Sequence, residues 1–301
     1  MTRHGGSILR NEWTRKLSRI LFLKVYRTEV AEMGMTALPI VKHFEIFKNM
    51  SAEVNDIEKI FSRLRNKLSG INGFRTVHLL ETPDKKYPLA QFVLGEGNQR
   101  RALISAGIHG DEPGGVEAIC AFLENDGFKH FSDQWELTFL PCLNPYGYEY
   151  GTRENHEGKD LNRLFKEDMP PFEVRFAKSV LENPYELTIE LHEDYMSPGY
   201  YLYQKGTHPE DEYLGTKILQ AVKEIMPINL NSEIDGGSAQ GGIIVPKNEP
   251  MDWWPMALYS FSKGTRMCLT LETSSKFPME KRVEAHSAAI DSALSYFSEK
   301  H

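Results

Sequence analysis

The stretch RALISAGIHGDEPGGVEAICAFL, residues 101–123, contains the pattern that decides the fold. It opens with an apolar run at 101–106, continues through a glycine-rich turn at 107–115, and ends in a second apolar segment at 116–123. A short apolar run closed by glycine is typical of a buried strand, and a longer one that follows proline and glycine indicates a helix. The stretch therefore predicts a strand, a turn and a helix, the beginning of an α/β unit.

Strands and helices continue to alternate along the rest of the chain. Apolar runs predict further strands, and helical spacing of apolar residues predicts further helices. The predicted strands lie at 75–80, 89–94, 136–140, 186–191 and 266–272, the helices at 51–70, 172–181, 210–225 and from 278, and a glycine-rich loop at 236–242. This alternation implies a largely parallel sheet that is covered by helices on both faces. In such sheets, sites form outside the carboxyl ends of the strands.

Composition and charge exclude several classes of protein. The chain has 301 residues, 41% hydrophobic and 26% charged, which is an ordinary globular balance. Its net charge of −7 argues against a nucleic-acid binder, which usually needs a basic face. The longest apolar run near the start, 20–23, is far shorter than the ~20 residues of a membrane span, so we expect no membrane partner.

The cysteines and the first 35 residues bear on location and domain organisation. The three cysteines have apolar neighbours and no CxxC spacing, which predicts buried free thiols in a reducing compartment. Residues 1–35 contain seven Lys or Arg against three Glu, and basic residues interrupt any signal-peptide core. We therefore expect a cytoplasmic protein with a basic N-terminal extension at 1–35, either disordered or a mis-assigned start, and a catalytic domain at 36–301.

Histidine and carboxylate residues follow the buried strands at metal-ligand spacing. His109 and Glu112 are three residues apart in the turn that follows the predicted strand at 101–106. His192 ends another predicted strand, LTIELH. A catalytic zinc ion takes imidazole and carboxylate from three protein ligands and keeps one position open. Because an HxxE pair alone is common by chance, the pair is informative only if the fold brings His192 to it.

Two further groups have the residue types that catalysis needs. Asp160-Leu-Asn-Arg163 lies in a polar loop preceded by Arg153. An arginine fork in such a loop binds a carboxylate through two parallel hydrogen bonds, although capping and a salt bridge would explain the same residues. Glu272 ends an otherwise apolar strand, where a carboxylate needs a partner or a function, and it suits a general base. The remaining histidines, His286 among them, are predicted at the surface or on helix faces.

Taken in order, four motifs resemble one family. HGDE at 109–112, NPYGYEYGTRENHEGKDLNRLF at 144–165, ELHED at 190–194 and LTLET at 269–273 are similar to those of the zinc carboxypeptidase superfamily, and most of all to its murein peptide amidase-like subgroup. The resemblance covers about residues 100–290. It implies a single α/β domain with a mixed, largely parallel central sheet flanked by helices.

The resemblance also implies a role for each matching residue. His109, Glu112 and His192 correspond to the ligands of one Zn²⁺ ion, and Glu272 to the catalytic glutamate. Asp160 is similar to the aspartate that orients a ligand histidine, as metal-bound imidazole generally requires.

Three more positions match the substrate-binding side of the family's site. Arg153 corresponds to the residue that polarises the scissile carbonyl and stabilises its oxyanion, and Asn162 and Arg163 to the clamp on the substrate carboxylate. The implied activity is that of a zinc metallocarboxypeptidase-like hydrolase or amidase that cleaves small peptides near a free carboxylate, cell-wall peptides among them.

The chain departs from the digestive enzymes of the family at one position. Those enzymes carry a mobile tyrosine ahead of an Asp-Trp segment, which Asp252-Trp-Trp254 resembles, but no tyrosine lies in or directly after 236–242. Tyr259, Tyr201 and Tyr203 are the alternatives, so no tyrosine is given a role.

Two other functions remain open at this stage. DLNRLF also resembles succinylglutamate desuccinylase and aspartoacylase, zinc enzymes that deacylate N-acyl amino acids with the same ligand triad. A non-catalytic relative would only bind peptide carboxylates, which the complete triad and Glu272 oppose. The ligands do not exclude a metal other than zinc, because affinity is a poor guide to the ion used.

Overall fold

The computed structural model describes residues 55–69, 74–83, 85–245 and 251–300. The predicted basic extension at 1–35 lies outside the described residues, as do the start of the predicted domain, 36–54, and the predicted cap Ser51 and stop Gly70 of the first helix. The division at residue 35 therefore stays a prediction.

A ten-stranded sheet forms the centre of the described domain. The strands are β1 (Phe74–Glu81), β2 (Lys86–Leu94), β3 (Arg100–Ala106), β4 (Trp135–Leu140), β5 (Leu187–Asp194), β6 (Tyr201–Gly206), β7 (Glu233–Ile234), β8 (Gly237–Gln240), β9 (Ile243–Ile244) and β10 (Met267–Ser274). Their order across the sheet is β1-β2-β4-β3-β5-β10-β6-β9-β8-β7. The four central strands β4, β3, β5 and β10 run parallel, and the sheet is extended on both sides by antiparallel pairs together with one parallel pair, β6 with β9. The predicted mixed, largely parallel sheet is confirmed.

Helices flank this sheet and cover its core strands. Within the described residues they are α1 (Ile57–Leu68), α2 (Pro113–Glu124), α3 (Pro145–Tyr150), α4 (Phe172–Val180), α5 (Leu214–Val222), α6 (Met256–Ser262) and α7 (Met279–Lys300), with short 3₁₀ turns at Gly127–His130, Leu161–Arg163 and Pro209–Asp211. Strand β5 is buried along almost its whole length, as expected for a strand covered on both faces. Among the described residues, no helix combines the length and apolar character that a membrane crossing requires.

Most predicted elements are present, and their bounds shift for identifiable reasons. The strands predicted to end at 191 and 272 continue to Asp194 and Ser274, because β5 and β10 pair with each other to their last residues. His192 and Glu272 therefore lie within their strands rather than at the ends. The three cysteines are buried free thiols, as predicted.

Two predicted elements were wrong in extent or kind. The stretch 236–242 is not a loop: residues 237–240 form β8, which pairs on both sides, and Gly236, Gly241 and Gly242 lie in the turns at either end. Gly236 and Gly242, with φ of +67° and +86°, occupy the left-handed region that such turns require. The helix predicted at 210–225 begins only at Leu214, because the buried Asp211 turns inward to accept hydrogen bonds from Arg266 (2.8 and 3.2 Å).

Helix α7 is attached to the end of β5 by two buried side chains. Arg282 donates to the Glu193 carboxylate at 2.7 Å, and the same carboxylate accepts the backbone N–H of Gly114 at the start of α2 (3.0 Å). One turn further along α7, His286 Nε2 donates to the carbonyl of His192 (3.1 Å). These contacts fix the backbone of β5 against two helices.

His286 lies on a face of helix α7, one of the two predicted positions, and it is fully buried there rather than at the surface. Its Nδ1 accepts from the Tyr200 hydroxyl at 3.2 Å, which requires a neutral ring. Burial lowers the pKa of His286 to about 3. The chain therefore folds around an uncharged imidazole.

The first prediction concerns acid sensitivity. The unfolded chain protonates His286 below its ordinary pKa of ~6.5, whereas the folded chain does not do so until about 3. The free energy of unfolding consequently falls as the pH drops below ~6.5, and this residue alone accounts for about 2 kcal/mol at pH 5. Between pH 7.5 and pH 5, the free energy of unfolding of His286→Gln should therefore fall by about 2 kcal/mol less than that of wild type, as measured by denaturant titration. His208→Gln, at an exposed site, is the control; identical pH dependence of wild type and His286→Gln would contradict the assignment.

The second prediction concerns the buried ion pair. The Glu193 side chain is 1% exposed and that of Arg282 is 13% exposed. Arg282→Met leaves a buried carboxylate uncompensated and should lower the free energy of unfolding by about 3–5 kcal/mol. Adding Glu193→Gln to Arg282→Met should restore much of the lost free energy of unfolding. The control is Lys281→Met, at the preceding helix residue, which forms an exposed ion pair; it should lower the free energy of unfolding by less than ~1 kcal/mol. A small effect of Arg282→Met alone on the free energy of unfolding would contradict a stabilising role for this ion pair.

Candidate metal centre

The sheet register aligns three polar side chains across neighbouring strands. His192 of β5 lies opposite Glu272 of β10, and Glu272 lies opposite Tyr201 of β6. Residues in register on adjacent strands are about 4.8 Å apart and point to the same face of a sheet. The register thus places a histidine, a carboxylate and a phenol in one row.

The turn after β3 delivers two more residues to the His192 end of this row. His109 and Glu112 are 4% and 6% exposed, and His192 is 2% exposed. Glu112 lies between the two rings: one carboxylate oxygen is 2.7 Å from His109 Nδ1, and the other is 2.8 Å from His192 Nδ1. The structure therefore brings together the three side chains that were predicted to share a cation.

The electrostatics of this cluster favour positive charge at its centre. Burial by itself would raise the pKa of Glu112, but the adjacent His192 and His109 outweigh it and lower the pKa. Burial would lower the pKa of His192, yet the Glu112 carboxylate raises it well above the ordinary value. The ionised carboxylate is thus stable only with positive charge beside it.

The cluster fits a zinc ion by the chemistry of its donors. Two imidazole nitrogens and one carboxylate oxygen lie within 4.8 Å of one another, the single group of this kind in the described part of the chain. Two histidines and a glutamate are a ligand set of catalytic zinc sites, which leave the fourth position open. The demand for positive charge between the donors agrees with this assignment.

Asp160 connects the cluster to Arg153. One Asp160 oxygen is 3.2 Å from His109 Nε2, and the other accepts from Arg153 Nε at 3.0 Å. Burial would raise the pKa of Asp160, but His109 and the neighbouring arginines lower it, so the group is a carboxylate. Arg153 Nη1 also lies 3.4 Å from Glu112, and its Nη2 has no hydrogen-bond partner among the described residues. One carboxylate therefore orients both a histidine and an arginine.

Two loop segments interlock to hold these side chains in place. A Cβ added at Gly110 would collide with the backbone of Gly147, so only glycine permits this approach. Asn144 caps helix α3 by accepting from the Gly147 N–H (2.9 Å) and donates to the carbonyl of Arg153 (3.2 Å). The HGDE and NPYG motifs are thus in contact, which links the position of Arg153 to that of His109.

Asn162 and Arg163 occupy different environments. Asn162 is 6% exposed, and its side-chain oxygen accepts the backbone N–H of Met256 at 2.8 Å, which fixes the start of α6. Arg163 lies at the surface of the site with its guanidinium over the ring of Trp253, 4.1 Å from the ring centroid. This stacking holds the plane of the guanidinium, and Nη1 donates to the carbonyl of Asn162 (3.1 Å), so that Nε and Nη2 remain for an acceptor. The sequence did not predict the structural bond of Asn162.

Glu272 lies close to several other carboxyl groups. Burial raises its pKa well above the ordinary value, and the charges of Glu112, Asp194 and Asp235 act in the same direction. Both nearby tyrosines already donate to carboxylates: the Tyr201 hydroxyl to Asp194 (3.2 Å) and the Tyr203 hydroxyl to Asp235 (2.6 Å). A cation in the cluster would lower the pKa of Glu272 again by direct attraction.

Sequence reasoning missed several residues around this site. Glu193 and His286 attach β5 to the helices, and Glu190 lies two residues before His192 on the same strand. The signal for Glu190 was present, because residues at i and i+2 of a strand share a face and ELH therefore places Glu190 beside His192. No local signal identifies His286, whose hydrogen-bond partners are 86 and 94 residues away in the chain.

Comparisons with known proteins agree with this fold. Residues 98–243 match the family model of the succinylglutamate desuccinylase/aspartoacylase catalytic domain. A proposed metallopeptidase from Shewanella denitrificans OS217 is 21% identical, covers 81% of this chain and 91% of its own, and has a TM-score of 0.68. A metallo-carboxypeptidase from Burkholderia cenocepacia is 15% identical over 81% and 70% of the two chains (TM-score 0.60).

A further solved structure is similar at lower coverage. The succinylglutamate desuccinylase/aspartoacylase from Rhodobacter sphaeroides is 18% identical over 75% of this chain and 64% of its own, with a TM-score of 0.52. No curated protein sequence matches the chain. Residues 98–243 are thus similar to a succinylglutamate desuccinylase/aspartoacylase catalytic domain, and the chain shares its fold with solved metallopeptidases and metallo-carboxypeptidases.

Proposed function

We propose that this protein is a zinc-dependent peptidase or amidase that hydrolyses an amide bond close to a free carboxylate in small peptides, those of the cell wall among them. The observation that carries the proposal is the buried His109–Glu112–His192 cluster with Glu272 in register on the next strand. A buried cluster of titratable groups with strongly shifted pKa values is typical of a catalytic site.

His109, Glu112 and His192 would hold the zinc ion through Nδ1, a carboxylate oxygen and Nδ1. When bound, zinc acts as a Lewis acid that polarises a carbonyl and brings the pKa of water to ~7. Asp160 holds the His109 ring in orientation from its other nitrogen.

Glu272 is the general base in this proposal. It is positioned by the pairing of β10 with β5, so its location relative to His192 is fixed by the backbone. It accepts a proton from the attacking water and passes it to the leaving amine nitrogen, a role worth about 10²–10⁴ in rate.

Arg153 and Arg163 bind different parts of the substrate. Arg153, tied to Asp160 and close to Glu112, has Nη2 free of partners among the described residues to donate to the oxyanion that forms at the scissile carbonyl. Arg163, stacked on Trp253, presents its edge to the substrate carboxylate. Asn162 has its side-chain oxygen committed to Met256, so its amide N–H₂ is the group that completes the clamp.

A second candidate function rests on the family match. The model that fits residues 98–243 describes enzymes named for deacylation of N-acyl amino acids. The same cluster, base and arginines would serve that reaction, because a peptide and an N-acyl amino acid both present an amide next to a free carboxylate. Cytoplasmic location remains part of the proposal for the peptidase, which would then act on peptides inside the cell.

The third prediction distinguishes these two functions and tests the base. Zinc-loaded wild type and Glu272→Gln are incubated with murein tripeptide, simple peptides of varied C-terminus and a set of N-acyl amino acids, and the products are identified by mass spectrometry. We expect cleavage next to the C-terminal residue, at least about 100-fold slower in Glu272→Gln, with zinc content unchanged. Deacylation alone would establish the second function, and equal rates in the two proteins would assign the base to another residue.

The fourth prediction tests the carboxylate clamp. Arg163→Ala removes a charge-assisted bidentate contact and should raise KM about 10- to 100-fold for substrates with a free carboxylate. Lys166→Ala, a neighbouring cation near Trp254, is the matched control and should change KM little. An equal increase of KM for amidated substrates would show that Arg163 does not bind the carboxylate.

A further inference from the structure

Only one of the two ring nitrogens of His192 has a hydrogen-bond partner. Its Nδ1 faces the Glu112 carboxylate at 2.8 Å, but its Nε2 is buried and has no hydrogen-bond partner. When Nδ1 binds a cation the ring is neutral and Nε2 carries the proton. A buried N–H without an acceptor is unfavourable, so this proton needs one.

Glu190 is the nearest carboxylate to that nitrogen. It lies two residues before His192 on β5 and therefore on the same face of the sheet. Its side chain is 3% exposed, one carboxylate oxygen is buried without a partner, and the other is 3.9 Å from His192 Nε2. The unpartnered Nε2 thus faces Oε2 of the Glu190 carboxylate just beyond hydrogen-bond distance, and Oε1 of the same carboxylate has no partner.

A water molecule cannot bridge His192 and Glu190, because the space beside them is too small. Both line a narrow cavity, otherwise bordered mainly by the apolar side chains of Ile108, Leu143 and Met256. The cavity is too narrow to hold a water molecule. A small side-chain rotation that shortens the 3.9 Å separation is then the way for both groups to be satisfied.

The other histidine of the cluster already shows this arrangement. His109 has Nδ1 towards Glu112 and Nε2 3.2 Å from Asp160. Metal-binding histidines generally donate their second N–H to a carboxylate or carbonyl, which fixes the tautomer and the ring orientation. Glu190 occupies the equivalent place behind His192.

We propose that Glu190 is the positioning residue of His192: in the metal-bound protein it accepts the Nε2–H and holds the ring with Nδ1 directed at the ion. The inference rests on the proposed metal site, and it adds a second carboxylate–histidine pair to the one formed by Asp160. Glu190 itself touches neither the ion nor the substrate.

This role predicts opposite effects on binding and on stability. In the metal-free protein Glu190 is a buried carboxylate with an unpaired oxygen, so replacing it by leucine removes an unfavourable group. In the metal-bound protein the same change removes the acceptor of His192. A residue that merely packs the core would lose stability in both states.

The experiment measures the zinc dissociation constant by chelator competition and the Tm of the metal-free protein. We expect Glu190→Leu to bind zinc about 10- to 100-fold more weakly, with a metal-free Tm equal to or above that of wild type. Glu190→Gln, whose amide oxygen can still accept a hydrogen bond, should remain within a few-fold of wild type. Thr188→Val, a buried change on the same face of the same strand, should leave zinc affinity unchanged.

Each result decides for or against the inference. Wild-type zinc affinity in Glu190→Leu overturns it, as does a matching loss of affinity in Thr188→Val or a large drop in the metal-free Tm. If wild type itself binds no zinc, or His192→Ala binds it equally well, the proposed metal site fails and the role of Glu190 falls with it. Stoichiometric zinc in wild type with unchanged affinity in Glu190→Leu overturns the positioning role alone.

Discussion

A carboxylate that is 6% exposed lies between two buried histidine rings, and this contact constrains most of the surrounding structure. Glu112 is unstable as a buried anion unless positive charge and hydrogen-bond donors surround it. His109, His192, Arg153 and the backbone N–H of Glu193 all approach it, at 2.7, 2.8, 3.4 and 3.2 Å. The same demand is what makes the position suitable for a divalent cation.

A framework of buried contacts holds these groups in place. Strand β5 is paired on both sides by parallel strands and attached to two helices by Glu193 and His286, so the backbone at His192 has little freedom. The loop residues are held by fewer, mostly polar contacts, among them Asp160 to Arg153 and Asn144 to the Arg153 carbonyl. His192 on the sheet is therefore fixed by strand pairing and packing, whereas Arg153 in the loop is fixed by hydrogen bonds.

The charge distribution separates two sides of the site. Arg153 and Arg163 lie on the side of the loop that follows α3, and Glu272, Asp194 and Asp235 lie on the side of β10 and the β7–β8 hairpin. An amide substrate with a free carboxylate, as in the proposed function, would fit this division: its anionic end would meet the arginines, and its scissile bond would lie between Glu272 and the His109–Glu112–His192 cluster. Peptides and N-acyl amino acids share this feature, which is why the geometry supports both and the assay must decide between them.

Much of the fold was predictable from local sequence. Apolar runs identified β3, β4, β5 and β10, because burial of a strand on both faces requires continuous apolar residues. The HxxE pair, the polar loop before Arg163 and the isolated Glu272 pointed to chemistry because charged residues beside buried strands need a partner or a function. Short strands such as β6 and β8 were missed, since their two to six residues carry little periodic signal and depend on neighbours for pairing.

The sequence by itself determined which residue types are available, the order of strands and helices, and the pairing of His109 with Glu112 in one turn. Only the tertiary structure decided that His192 and Glu272 are in register, that Asn162 is bonded to α6, and that Glu190 and His286 lie behind His192. These facts depend on contacts between residues up to 94 positions apart. Such contacts form through sheet register and helix packing, which are set by burial over the whole domain and leave no pattern in any short segment of the chain.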